Sequence, residues 1–169
     1  MDSFTTSLMA ACQWLEDSQV GTAIREGAWE YATLNFVHLL GLTFAAGTIL
    51  FFDLRLLGFG LKGVSVSSAA RTLLPWTWAG FAVMFASGSL LIISEATRLY
   101  SNVAFRTKLV LLVLAGLNVF VFHNTVFRRV ASWDEAAETP VQVKIAGAIS
   151  ISVWFGMMTA GRLIGYTLN

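Results

Sequence analysis

Apolar positions run unbroken along four stretches of this chain, each too long for the core of a soluble domain. Residues 31–52, 72–94, 109–127 and 145–161 contain no Asp, Glu, Lys or Arg, and the last run resumes past Arg162 to Thr167. A crossing of roughly 30 Å of hydrocarbon needs about 20 apolar residues. In lipid every backbone N–H and C=O must be satisfied within the protein, so such spans are helices. The pattern predicts spans over 31-57, 72-97, 105-128 and 140-166. Short connections make sequential neighbours antiparallel. The expected fold is therefore all-α: an integral membrane up-down-up-down four-helix bundle.

Polar punctuation marks the ends. Thr139-Pro140-Val141-Gln142 has a capping threonine, a proline at the first helical position and a glutamine behind it, and predicts the start of the fourth span. Ser132-Trp133-Asp134-Glu135 reads as a second capping box opening a helical turn in the preceding loop. Pro75 either marks the start of the second span or kinks its first turn. Trp76 and Trp78 beside it fit an interfacial aromatic anchor. Ahead of the first span, Phe4, Leu8, Cys12 and Leu15 recur at helical spacing, with Trp14 next to them. Residues 1-29 are read as an N-terminal amphipathic surface helix, followed after Ser18 by a second short helix with Ile24 on its buried side. Residues 30-169 form the transmembrane domain.

Composition strengthens this picture. Of 169 residues, 56% are hydrophobic and 12% charged, and mean hydropathy is +0.69. Soluble domains carry about 25% charged residues, so the chain is expected to partner the lipid bilayer. A net charge of +1 with no basic run excludes nucleic acid. The lone Cys12 builds neither an internal disulfide nor a zinc site. Residues 1–29 lack a basic leader and carry Asp2, Glu16, Asp17 and Glu26 against Arg25, so they are read as mature protein. Arg55, Lys62, Arg71, Arg128, Arg129 and Lys144 fall on one side of the spans. Arg25, Arg98, Arg106, Lys108 and Arg162 fall on the other. The bias puts both termini outside.

Small residues mark close helix approaches: Gly161-x-x-x-Gly165 and Gly156-x-x-x-Ala160 in the fourth span, with Gly41, Gly80, Gly88 and Gly116 elsewhere. They serve packing within the bundle or between copies; a homo-oligomer or a subunit of a membrane complex is expected.

Both histidines lie inside spans, His38 in the first and His123 in the third, and intramembrane ionisable residues are functional hypotheses. His38 shares a face with Asn35, Gly41 and Ala45. Gly116 lies two turns before His123. A glycine that leaves room for a ring, with an axial histidine, is the pattern of a haem b site. The depths agree poorly: about 12 Å for His38 past Glu30 and about 22 Å for His123 past Lys108, at about 1.5 Å per residue. Met84 in the second span matches the depth of His38 and offers a His–Met alternative, although methionine is also a common core filler. Neutral imidazoles hydrogen-bonded to Asn35, Asn118, a serine or a backbone carbonyl on the next helix are the structural alternative. Glu95, Arg98, Arg106, Lys108 and Arg162 form a possible anion or quinone headgroup site, with Glu95 able to receive a proton, or else snorkel to the interface. Asp53, Arg55 and Arg71 read as a charge cluster fixing helix ends. No nucleotide-binding loop, HExxH or Gly-x-Ser-x-Gly occurs, so covalent catalysis has no visible machinery and an enzyme is not expected.

The segments FVHLLGLTFAAGTILFFDLRLLG, WTWAGFAVMFASGSLLI and FRTKLVLLVLAGLNVFVFH, with a closing Lys-Ile-Ala-Gly run into Trp154, resemble an uncharacterised bacterial four-helix membrane family, domain-of-unknown-function family 6644. The likeness covers residues 30 to 165. The layout is loosely similar to the copper-resistance D type and the membrane protoporphyrinogen-oxidase type, which also keep a histidine in an early helix and a lysine opening a later one. That resemblance implies haem, porphyrin or copper handling in a bacterial inner membrane. Three functions are weighed: a haem b electron-transfer subunit with His38 and His123 as ligands; a cofactor-free accessory or scaffold subunit; and a carrier or channel for a proton, metal or anion using His38, Glu95 and Lys108.

Overall fold

A glycine stops the first long helix, and a serine with a distant aspartate starts the second. The computed structural model describes residues 3–61, 63–134 and 139–167. In chain order the helices are α1 (Ser3–Glu16), α2 (Gln19–Glu26), α3 (Glu30–Leu57), α4 (Val66–Ser94), α5 (Ala96–Ser101), α6 (Val103–Asn124) and α7 (Val141–Thr167), with a 3-10 segment at Phe127–Ser132. Among the described residues there is no strand. Four helices are long and apolar enough to cross a membrane: α3, α4, α7, and α6 with its continuation to Val130.

Gly58 closes α3 in the left-handed region at φ +83°, with its N–H on the Arg55 carbonyl; only glycine holds that conformation without strain. α4 starts at Val66, earlier than the apolar run alone implies. The Ser65 hydroxyl accepts from the Ser68 N–H at 3.2 Å. Asp134 accepts from the Ser67 N–H at 3.0 Å and from the Ser67 hydroxyl. Pro75 therefore sits inside α4, where it withholds one N–H from the ladder, and does not mark the helix start. The capping role read for Ser132 passes elsewhere: its hydroxyl donates to the Arg129 carbonyl at 2.7 Å, and Asp134 serves α4. Glu135, Lys62 and the side chain of Phe4 lie outside the described residues.

α3 packs along α4, α7 along α6, and α3 against α7. His38 faces Ser87 and Thr48 faces Thr77. Leu111 faces Gly156, and Asn118 donates to the Ala146 carbonyl at 3.1 Å. Numbers rise on one helix as they fall on its neighbour, so the packed partners are antiparallel. The result is two helical hairpins, α3–α4 and α6–α7, joined where α3 meets α7. Phe52, Leu56, Val66, Ala69, Phe122 and Val143 close the core at one end, here the core end. The other end, the cap end, carries α1, α2 and α5, which pack on one another and on α3 and α4.

Large apolar side chains face outward, among them Phe36, Phe44, Phe85, Val113 and Phe120, while Ser87, Ser94, Ser150, Asn102 and Asp53 are buried. That inversion suits lipid, where apolar side chains gain nothing by hiding and helices associate through close packing and polar contacts. The closest approach is between α3 and α4. A Cβ on Gly80 would lie 2.6 Å from the Ala45 nitrogen and 2.7 Å from the Gly41 carbonyl oxygen. The two backbones touch there, and no flexible side chain is available to yield.

α1 is tied down by one carboxylate. Glu16 accepts from the Thr97 N–H at 2.9 Å and from the Thr97 hydroxyl at 2.5 Å, at the first turn of α5. Arg25 of α2 sits 3.4 Å from the same carboxyl and donates to the Glu16 carbonyl at 3.2 Å. Burial works against the charge, but the Thr97 bonds and the charges of Arg25 and Arg98 outweigh it and hold Glu16 below the usual glutamate value.

Two predictions follow from this packing. Gly80→Ala is expected to cost about 1–3 kcal/mol by overpacking, read as a lower unfolding midpoint in detergent. Gly116→Ala, at a position with nothing within 4 Å in the single chain, is expected not to lower the midpoint of the monomer, since alanine favours the helix. The Glu16 contribution is present above the ordinary glutamate range, about pH 4.3, and is lost as pH falls through the lower folded value. Hydrogen exchange should show the α1 amides deprotected below that range, and in Glu16→Ala at every pH.

Candidate functional site

One turn toward the cap end from the Gly41–Gly80 contact, the close approach of α3 and α4 brings His38 onto Ser87. The imidazole Nδ1 lies 3.0 Å from the Ser87 hydroxyl oxygen. Ser87 spends its own proton on the Val83 carbonyl at 2.6 Å. A hydroxyl has one proton to give, so His38 must donate Nδ1–H, and the Met84 carbonyl is a second acceptor within reach of the ring. Nε2 is then left with its lone pair. Gly88 makes the fit possible: a Cβ there would stand 3.1 Å from His38 Cε1. The ring lies against bare backbone, half-buried between α3 and α4.

Lys108 approaches from the other hairpin. It sits on α6 against Gly161 of α7, whose added Cβ would be 3.6 Å from Nζ, and its charge reaches His38. Nearer the cap end, Glu95 pairs with Arg98 at 3.0 Å, and both charges reach Tyr31 at the start of α3. The half of the molecule toward the cap end therefore collects an imidazole, an ammonium, a phenol and an ion pair from α3, α5, α6 and the α4–α5 junction.

The other expected residues distribute differently. His123 is not brought to His38: its Nδ1 lies 3.2 Å from the Val119 carbonyl of its own helix, and its ring leans on Phe127 at 5.0 Å between centroids. Where α3 and α6 meet it is through the Phe52–Phe122 ring contact at the core end, 6.4 Å between centroids, and His38 lies in the opposite half of α3. From Lys108 to His123 is about 22 Å along α6 at about 1.5 Å per residue, so the two imidazoles sit at different depths. Gly116 has open space beside it, and Asn35 is exposed. Met84 packs on Gly41, its Cγ 3.1 Å from where a Cβ would be. Arg162 lies over the Tyr166 ring at 5.0 Å and donates to its hydroxyl at 3.0 Å. Arg106 donates to the carbonyls of Tyr100 and Ser101 at 3.2 and 3.3 Å. Arg162 thus pairs within α7, while Arg106 of α6 caps the end of α5. Among the described residues no three His, Cys, Asp or Glu side chains converge. An open surface pocket of about 480 Å³ at the cap end is lined by Thr97, Arg98, Ser101 and Asn102, and His38 is not part of it.

The sequence reading misplaced Asp53. It forms no cluster with Arg55 and Arg71: Arg55 Nε donates to the Val64 carbonyl at 2.6 Å and Arg71 is exposed. Asp53 is only 3% exposed, on the face of α3 that meets α7, with Ser150 in hydrogen-bonding reach. The signal was in the spacing. Ile49, Phe52, Asp53 and Leu56 form one stripe at helical intervals, and a carboxylate within a core stripe is not a helix-end charge.

Residues 11–167 match the model of a family of unknown function, DUF6644. Nothing matches among curated proteins or among solved structures.

Proposed function

The chain belongs to this family of unknown function, and from its own residues we propose that it is a membrane protein that handles protons, with His38 as the exchanging base. One observation carries this reading: His38 Nδ1 lies 3.0 Å from a Ser87 hydroxyl whose proton is directed to the Val83 carbonyl, an arrangement that favours the Nδ1–H tautomer inside the α3–α4 hairpin and leaves Nε2 to accept. Histidine is the side chain whose ordinary titration falls nearest neutrality. Lys108, on the facing hairpin, brings a positive charge to bear on the ring. The Glu95–Arg98 pair and Tyr31 supply polar groups between His38 and the cap end.

The finer architecture belongs to the same proposal. Antiparallel pairs α3–α4, α6–α7 and α3–α7 support an up-down-up-down bundle, with α1 an amphipathic helix at the membrane surface. The charge bias supports both termini outside a bacterial inner membrane. Open glycines such as Gly116 and Gly165 offer a second copy or a partner subunit a close-packing face.

A second reading keeps haem b and electron transfer. An imidazole that donates from one nitrogen and leaves the other bare is also the arrangement of a metal-ligating histidine. His38 is the residue that would hold the iron, which would supply one-electron chemistry. His123 is too far along α6 to share that iron within one chain.

Proteoliposomes carrying an internal pH-sensitive dye test the first reading. Wild-type protein is expected to pass protons faster than empty vesicles, with the rate falling at least about tenfold in His38→Ala, as when a proton-transferring base is removed. Ser87→Ala, which frees the tautomer, is expected to fall between them. Full flux in His38→Ala, or wild-type vesicles no leakier than empty ones, overturns the proposal. A Soret band in the purified protein that disappears in His38→Ala establishes the haem reading instead.

A further inference from the structure

We infer that Asp53 is a second proton-binding site, set at the seam where the two helical hairpins meet. The inference rests on the reading of the helix interior as proton-handling and extends it to the opposite half of α3. Asp53 is 3% exposed, and its Oδ2 has no hydrogen-bond partner among the described residues. The hydroxyl of Ser150, itself 7% exposed, reaches the carboxyl from α7. Gly147 lets α7 come this close: a Cβ there would be 3.2 Å from the Asp53 carbonyl oxygen and from Leu56 Cβ.

The charges around Asp53 all point elsewhere. On α3, Arg55 is committed to the Val64 carbonyl. On α4, Arg71 is exposed. On α6, His123 lies behind the Phe52–Phe122 contact with Nδ1 on the Val119 carbonyl. On α7, Lys144 makes no ion pair with it, and the ion pairs among the described residues involve Arg25 and Arg98 alone. An ionised carboxylate buried without a cation carries an uncompensated desolvation penalty. The protonated acid avoids that penalty and turns one oxygen into a donor.

The step is acid–base only. The carboxylic O–H bond breaks, its electron pair stays on the carboxylate, and the proton passes to water at the core end. Asp53 and His38 lie on the same helix, separated by the backbone contact of Gly41 and Gly80 and by the Thr48–Thr77 hydroxyl pair at 2.7 Å. The polar groups of α3 thus form two sites, one in each half of the helix.

The test labels the full-length protein in lipid nanodiscs with dicyclohexylcarbodiimide, which attacks protonated carboxyls in apolar surroundings, and maps the adduct by mass spectrometry. Label is expected on Asp53, falling as pH rises, absent in Asp53→Asn, with the pH of half-labelling shifted in Ser150→Ala. The infrared carbonyl stretch of a protonated acid should vanish in Asp53→Asn. Wild-type protein without label at Asp53 at any pH, and without that band, overturns the inference and needs no variant to fold. So does protection of Asp53 by sodium ion at fixed pH, which would assign the site to a metal cation. Neither readout depends on proton flux, so failure at Asp53 leaves His38 standing, and failure at His38 leaves Asp53.

Discussion

Two backbones touch where Gly41 of α3 meets Gly80 of α4, and the geometry of the α3–α4 hairpin follows from that contact. In lipid there is no hydrophobic drive to press helices together, so association depends on how closely backbones can approach. With no Cβ on either side, α3 and α4 close to a separation that another residue would forbid. One turn toward the cap end, the same separation lets His38 reach Ser87 and rest on Gly88. Farther toward the core end, it lets Thr48 meet Thr77. The contact also divides the hairpin, since two touching backbones leave no room for water or a polar side chain between the histidine and the threonines.

The seam between the hairpins works differently. There α7 presents a glycine and a serine to α3, and α3 presents an aspartate and a leucine. Most buried polar groups in the protein are satisfied locally. Ser94 donates to the Leu91 carbonyl at 3.0 Å, Ser87 to the Val83 carbonyl, and Asn102 caps α6 while donating to Thr167 at 2.9 Å. Against that background an unpartnered carboxylate oxygen is the exception. It sits where the two halves of the molecule hold together. At the cap end Glu16, Thr97 and Arg25 tie the short helices down by charge and hydrogen bonding.

Much of this was legible in the residues. Uninterrupted apolar runs determined four spanning helices, because a backbone in lipid has no alternative to internal hydrogen bonding. The placement of both histidines in spans, and of Lys108 at the head of one, marked the ionisable residues worth locating in the fold. The two glycines flagged a close contact without saying with which helix. Boundaries were less legible: the start of α4 depends on Asp134, far along the chain, and no local pattern announces a cap supplied from such a distance.

Which polar groups share a site was decided only by the tertiary structure. Periodicity assigns a residue to a face of its own helix, but facing depends on how helices rotate and cross, which small-residue contacts settle. His123 carries the same chemistry as His38 and turns to its own backbone and a phenylalanine. Asp53 reads as a terminal charge until α7 is laid over it. The chain by itself determined that it crosses the membrane with few ionisable groups inside. The packing of α3 against α4 and α7 decided which of them find partners and which is left without one.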